Sequence, residues 1–169
     1  AADYLQSLGH ACVAVLTIDL DNPSYEVRVD SFVKNARALK MKTTKLSPSK
    51  LDLKHTLTAS ERMDSLIDRL AVTSKKERPT ALFLPSDYMP ALAHASCRRA
   101  GLEPGRDFDF VSCDNEKAYL EGLYPRPATI DLGTEARGKL AFELLLSRIQ
   151  DPTRDRKATL VLDPVLVAP

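Results

Sequence analysis

Three short blocks of nearly unbroken apolar residues punctuate the chain: CVAVLTI at Cys12–Ile18, TALFLP at Thr80–Pro85 and FDFVSC at Phe108–Cys113. Runs of this length, without a polar residue at every second place, are expected of strands covered on both faces. Between them the apolar positions change period. Val29, Phe32, Val33 and Ala36 recur at helical spacing from Tyr25 to about Leu39, after a loop whose Pro23 and Ser24 suit a helix start. Met63, Leu66, Ile67 and Leu70 form a second stripe, in a helix placed from Ser60 to the basic run SKKER. A third helix opens at Ser86 or Asp87 and closes at Gly101, and a fourth, Thr134–Ile149, carries Leu140, Ala141, Leu144, Leu145 and Ile149. Residues 2–8 read as a short helix stopped by Gly9.

The weaker segments fill the gaps. Thr43–Leu46 reads as a weak strand, SPSKLDLKHTLTAS as a loop, and LYPRPATI, with two prolines around Arg126, as an extended crossover. The last element, ATLVLDPVLV, is interrupted by Pro164 and suits an edge strand. Strand–helix alternation with apolar strands predicts an α/β fold: a parallel sheet flanked by helices on both faces.

Charge removes several functions. With 24 Lys+Arg against 23 Asp+Glu, the segment is not built to grip nucleic acid or a charged membrane by itself. No run of 18 apolar residues offers a membrane span. The three cysteines, Cys12, Cys97 and Cys113, lack CxxC spacing and lie in apolar or helical contexts, as expected of buried thiols in a reduced, cytoplasmic protein. The chain starts with Ala inside helix-like sequence, which reads as a piece of a longer or processed protein.

Recognisable catalytic signatures are missing. The six glycines form neither GxGxxG nor GxxxxGK[ST], and there is no GxSxG elbow. His10, His55 and His94 have no ligand spacing to one another or to a cysteine, so no metal or cofactor is expected. Asp19 and Asp21 could accept a phosphoryl group in a receiver or hold Mg²⁺, but a solvated loop explains them as well. No nucleophile, base and oxyanion donor assemble, so the reading is not an enzyme.

What remains is a set of polar residues at strand ends. Asp19, Asp21, Asn22 and, one helical turn on, Arg28 follow the first strand; Ser86 and Asp87 follow the second apolar block; Asp114 and Asn115 follow the third. In an open parallel sheet these loops share the carboxyl edge, where ligands bind near the topological switch point. Arg28 brings forked donors, and Asp87 and Asp114 bring acceptors, a set suited to a polyhydroxylated molecule or a purine. Singly, each has a plainer role: a surface arginine, a helix N-cap at Asp87, a turn residue at Asp114.

Four segments resemble the effector-binding region of bacterial transcription regulators related to the lactose and galactose repressors. They are AADYLQSLGHACVAVL; RVDSF, with Ser31 where the family has Gly; RPTALFLPSDYMPALAHASCRRAGLEPGRDFDFVSCDN; and YPRPATIDLGTEARGKLAFELLLSRI. The resemblance implies one lobe of a periplasmic-binding-protein-like fold, with residues 1–128 in the carboxyl-terminal lobe, 129–152 a crossover and helix of the amino-terminal lobe, and 153–169 a final strand returning. It implies an effector (a sugar, sugar derivative or purine) in an interlobe cleft, a homodimer, and DNA contact only through an amino-terminal helix-turn-helix outside this chain. Arg28 and Asp114 match ligand-binding positions, and Ser86 a variable contact beside the recurrent Asp87; Asp19 and Asn115 complete the candidate set. A solute-binding receptor for transport is the nearest alternative. Separated from its lobe, the helix 134–149 is expected to pack elsewhere, on its own lobe or on a second copy.

Overall fold

A computed structural model describes residues 1–19, 21–49, 57–151, 159 and 161–169. Among these, six strands form one sheet in the order β2-β1-β3-β4-β5-β6. The strands are β1 (Cys12–Leu16), β2 (Lys42–Leu46), β3 (Ala81–Phe83), β4 (Asp109–Cys113), β5 (Ala128–Asp131) and β6 (Val165–Val167). Every pair from β2 to β5 is parallel; β6 returns antiparallel to β5, with Ile130 opposite Leu166. The helices are α1 (Ala2–Ser7), α2 (Pro23–Ala38), α3 (Ala59–Ala71), α4 (Tyr88–Arg99), α5 (Lys117–Leu120) and α6 (Thr134–Gln150).

The unbroken apolar strands follow from two covered faces. Val13 and Val15 of β1 pack with Leu5 of α1 and with Val29, Phe32, Val33 and Ala36 of α2. Ala14 and Leu16 point the other way, onto Met63, Leu66, Ile67 and Leu70 of α3 and onto Met89, Ala93 and Cys97 of α4. On the first face Phe32 stacks on Phe83, ring centroids 4.3 Å apart and nearly coplanar. Each fully buried Leu, Ile or Phe here contributes about 1.5–3 kcal/mol.

Several boundaries differ from the sequence reading. The helix placed from Ser60 starts at Ala59, capped by Thr58. The Thr58 hydroxyl accepts from the Glu61 amide (3.3 Å), and the Glu61 carboxylate accepts from the Thr58 amide (2.8 Å), a reciprocal capping box. The bond from the Thr58 amide is the larger reason the Glu61 carboxyl is held below its ordinary range, and the Thr58 hydroxyl, donating to the same carboxylate at 2.8 Å, is the next. Thr58→Ala is expected to lower stability by about 1 kcal/mol, read as a shifted midpoint in urea unfolding with an unchanged slope. LYPRPATI, read as an extended crossover, leads into the paired strand β5, which runs on to Asp131. Most of the loop read between Leu46 and Thr58, with His55, lies outside the described residues, as does most of 152–160.

β2 forms one edge of the sheet and carries exposed Lys42 and Lys45, the latter paired with Asp30 at 2.6 Å. β6 forms the other edge and begins directly after Pro164.

Helix α6 has no buried residue, and Phe142, Leu145 and Ile149 are exposed. The expectation that it packs on its own lobe is therefore corrected. The reason is geometric: α1 and α2 cover one face of the sheet and α3 and α4 the other, so no apolar face is left for it.

Candidate functional site

The site is built at the carboxyl edge of β1, β3 and β4. Strand β4 is followed by Asp114 and Asn115, whose φ angles of 109° and 54° lie in the left-handed region that L residues rarely adopt. Such backbone costs about 1–3 kcal/mol per residue and persists only where the surroundings hold it. Here the Asp114 amide donates to the Ile130 carbonyl (2.9 Å), the Asn115 amide to Thr129 Oγ1 (3.3 Å), and Asn115 Nδ2 to Asp131 Oδ2 (3.0 Å). The reversal of the chain presents the Asp114 carboxylate at the rim.

Arg28 reaches the same point from α2, whose start is set by Pro23 at the first turn and by Asn22, which accepts from the Ser24 amide. Its guanidinium grips Asp114 with both forks, Nη2 to Oδ1 at 2.9 Å and Nη1 to Oδ2 at 3.1 Å. Nη1 also donates to the Pro85 carbonyl at 2.5 Å, and Ser86 Oγ donates to Asp114 Oδ2 at 3.1 Å. The Tyr25 ring lies 5.6 Å from Arg28 Cζ, a cation–π distance. Arg28 and Asp114 keep 23% and 16% side-chain exposure, so the pair is mostly desolvated yet open to a ligand. A guanidinium has five N–H groups and these contacts use three, which leaves donors for an incoming acceptor.

The remaining candidates take other places. Asp19 is at the β1 end and accepts a short hydrogen bond from the Tyr88 hydroxyl. Burial, and then Asp19, push the Tyr88 phenol above its ordinary range. Asp87 is corrected: it is fully buried and presents no oxygen to the rim. Its Oδ1 accepts from Ser112 Oγ (2.5 Å) and Thr129 Oγ1 (2.8 Å), and its Oδ2 accepts from the Glu116 amide (2.7 Å). It makes no side-chain cap to α4 either. Burial raises its carboxyl pKa, against those three hydrogen bonds. Asp87 thus ties α4 to β4, β5 and the turn after Asp114. Asn115 is likewise engaged with Asp131, whose own carboxyl is held low by the Gly133 amide first and by Asn115 second.

Tyr25, Arg62 and Tyr88 were missed by sequence reasoning. Arg62 donates to the Ile18 carbonyl at 3.3 Å. The signal available for Tyr25 and Tyr88 was an aromatic residue soon after the polar residues that follow the first and second apolar blocks. Beside Arg28, at the ends of β1 and β2, lies a depression of about 360 Å³ lined by Thr17, Asp19, Tyr25, Glu26, Lys45 and Ser47. Arg28 itself borders a second hollow, of about 270 Å³, with Ser31, Phe83 and Cys113. Among the described residues no group of three His, Cys, Asp or Glu side chains is placed to hold a metal ion, and no helix is long and apolar enough to cross a membrane.

A family model described as a periplasmic binding protein-like domain matches residues 2–168. The chain belongs to this family. Its relatives within the periplasmic-binding-protein-like domain family are repressors of the lactose-repressor type. The chain is 28% identical to the ribose operon repressor of Haemophilus influenzae over 170 residues, covering 99% of this chain and 48% of that protein. It is 34% identical over 98 residues to the transcriptional repressor PurR of Edwardsiella ictaluri, covering 57% of this chain and 28% of the relative. Among solved structures, a regulatory protein of the LacI family from Chloroflexus aggregans superposes with a TM-score of 0.78 at 21% identity, over 97% of this chain and 56% of that one. The Lac repressor bound to ONPG gives 0.76 at 19% identity, over 98% and 47%. The chain thus spans about half or less of each relative's length, and these two structures bear on the fold alone.

Proposed function

We propose that this periplasmic-binding-protein-like domain is the effector-sensing part of a cytoplasmic transcription regulator, non-catalytic and acting as a homodimer. The observation that carries the reading is the forked Arg28–Asp114 pair, propped by Ser86 and the Pro85 carbonyl at the carboxyl edge of a parallel sheet. Ligands of open α/β sheets bind at that edge. Repressors among the relatives support the regulatory role, and the names of two of them speak of a ribose operon and of PurR. The effector class is a sugar, a sugar derivative or a purine, each offering acceptors to Arg28 and hydroxyl or amine donors to Asp114.

Arg28, Asp114 and Ser86 form the ligand-facing set, Asp19 and Tyr88 a second wall, and Asp87 and Asn115 hold the turn behind it. Helix α6 belongs to the companion lobe, within the segment 129–152, which accounts for its uncovered Phe142, Leu145 and Ile149. DNA is contacted through a helix-turn-helix elsewhere in the whole protein. Binding between the two lobes would shift their closure and so the DNA affinity. The repressor relatives favour this reading over a transport receptor, and the family match favours a binding role over a phospho-acceptor at Asp19 or Asp21.

Arg28→Gln and Asp114→Asn in the whole regulator are each expected to weaken the effector response by at least about tenfold, the loss of one charged hydrogen bond. Operator-binding titrations with and without effector measure this. An unchanged half-maximal effector concentration in both variants would remove the site assignment.

A further inference from the structure

Strand β2 closes one side of the sheet with part of its peptide groups unpaired. The Lys42 amide donates to the Ala11 carbonyl (2.8 Å), and the Leu46 carbonyl accepts from the Thr17 amide (3.2 Å), so residues 42, 44 and 46 bond inward to β1. The alternation of a β-strand then turns the N–H and C=O groups of Thr43 and Lys45 outward, where among the described residues no strand pairs with them. Exposed cations line this edge. Lys34, Arg37, Lys40, Lys42 and Lys45 are all exposed, and the stretch from Lys34 to Lys45 holds no Asp, no Glu and no aromatic residue. Among the described residues only Lys45 of these has a carboxylate partner, Asp30 of α2. Arg37 donates to Thr43 Oγ1 at 3.2 Å, and Lys34 lies between Asp30 and Arg37 on the same stripe of α2. Lys42 takes the opposite face of the sheet, that of Leu46.

The dipole of α2 accounts for Arg37 in its last turn, but not for Lys34 or Lys42. In a chain with 24 Lys+Arg against 23 Asp+Glu, a cationic run flanking a bare strand edge on both faces is a local excess. It suits a partner that supplies carboxylates and a peptide backbone together. We propose that the outer side of β2 docks an acidic, extended segment of another protein, added to the sheet as a further strand. The main chain of that segment pairs with Thr43 and Lys45. Its side chains, pointing alternately to the two faces, bring carboxylates to Lys34 and Arg37 on one and to Lys42 on the other. A second copy of β2 is repelled by the same cations. A nucleic acid fits less well: the outward carbonyls oppose phosphates, and the stretch offers no aromatic ring on which bases could stack.

The test titrates the whole protein with a capped peptide of repeated Glu-Glu-Thr units, followed by protein NMR. Saturable shifts at the amides of Thr43–Lys45 are expected, together with slowed hydrogen exchange at Thr43 and Lys45, which mere attraction of charges would not produce. The same peptide methylated on all its amides keeps the charge and loses the donors, and is expected to bind at least about tenfold more weakly. A Lys-Lys-Thr counterpart is expected not to bind. Lys34→Gln combined with Lys42→Gln is expected to weaken binding at least about threefold, as the loss of two exposed ion pairs. Thr43→Pro removes an outward donor and no bond to β1, and is expected to abolish the exchange protection, with folding checked by circular dichroism. No saturable shift, shifts without slowed exchange at Thr43 and Lys45, equal binding of the methylated or the lysine peptide, or tighter binding of oligothymidylate at the same residues would overturn the proposal. If Thr43→Pro does not fold, the comparison of the two acidic peptides on the unaltered protein decides the matter.

Discussion

Replacing Asp87 with alanine is expected to lower the unfolding free energy by about 3–5 kcal/mol, the range for removing one member of a buried, fully engaged polar group. The carboxylate is 0% exposed and receives three donors. Truncation leaves the Ser112 and Thr129 hydroxyls, both 0% exposed, facing a cavity, and orphans the Glu116 amide. The damage then spreads to the turn that follows β4. Thr129 also accepts from the Asn115 amide, so the left-handed backbone at Asp114 and Asn115 loses part of what holds it. Asp87→Asn keeps one acceptor for Glu116 and turns its amine toward the hydroxyls, which can rotate to accept; about 1–2 kcal/mol is expected there. Urea unfolding monitored by circular dichroism measures both. A loss below about 1 kcal/mol for the alanine variant would show that Asp87 does not carry this junction.

Lowering the pH from 6.5 to 4 is expected to remove about 3 kcal/mol of stability through His94 alone. Burial, and then Arg98, depress its folded pKa to about 4, against 6.5 for the ordinary side chain. The sign follows from which state takes the proton first. Above pH 6.5 the imidazole is neutral in both states and the fold keeps its full stability. As the pH falls below 6.5 the unfolded chain binds a proton that the folded chain refuses until about pH 4, so stability declines across that window and levels off below it. His94→Leu is expected to flatten this part of the stability–pH curve. A parallel decline in parent and variant would place the acid sensitivity on other groups, such as Asp107 and Asp131, whose carboxyls are held low chiefly by the amides of Glu103 and Gly133.

The sheet was readable in the sequence because two covered faces leave no polar position in β1 or β3. Strand β5 was not, since Pro125 and Pro127 crowd its start and only Ala128–Asp131 pair. The α3 cap was present as Thr58-x-x-Glu61, but Ser60 offered a competing hydroxyl two residues on. The meeting of Arg28 with Asp114 was legible from strand-end logic and the family resemblance together. The fate of Asp87 was not: it depends on hydroxyls from β4 and β5 facing one point beside α4, and spacing along the chain does not encode that convergence. His94 illustrates the same limit, because a histidine on an apolar helix face looks like packing until its nitrogens are seen to lack partners.

The lysines of β2 have a bearing on aggregation. An outermost strand exposes a row of unpaired peptide groups, a template on which other chains can add. The ammonium group at Lys42 makes such stacking repulsive between like copies, and at the far side the imino acid at Pro164 removes a donor where pairing would have to extend. Fibrils growing by lateral strand addition are thus disfavoured at both margins, and self-association, where it occurs, is steered toward the uncovered α6.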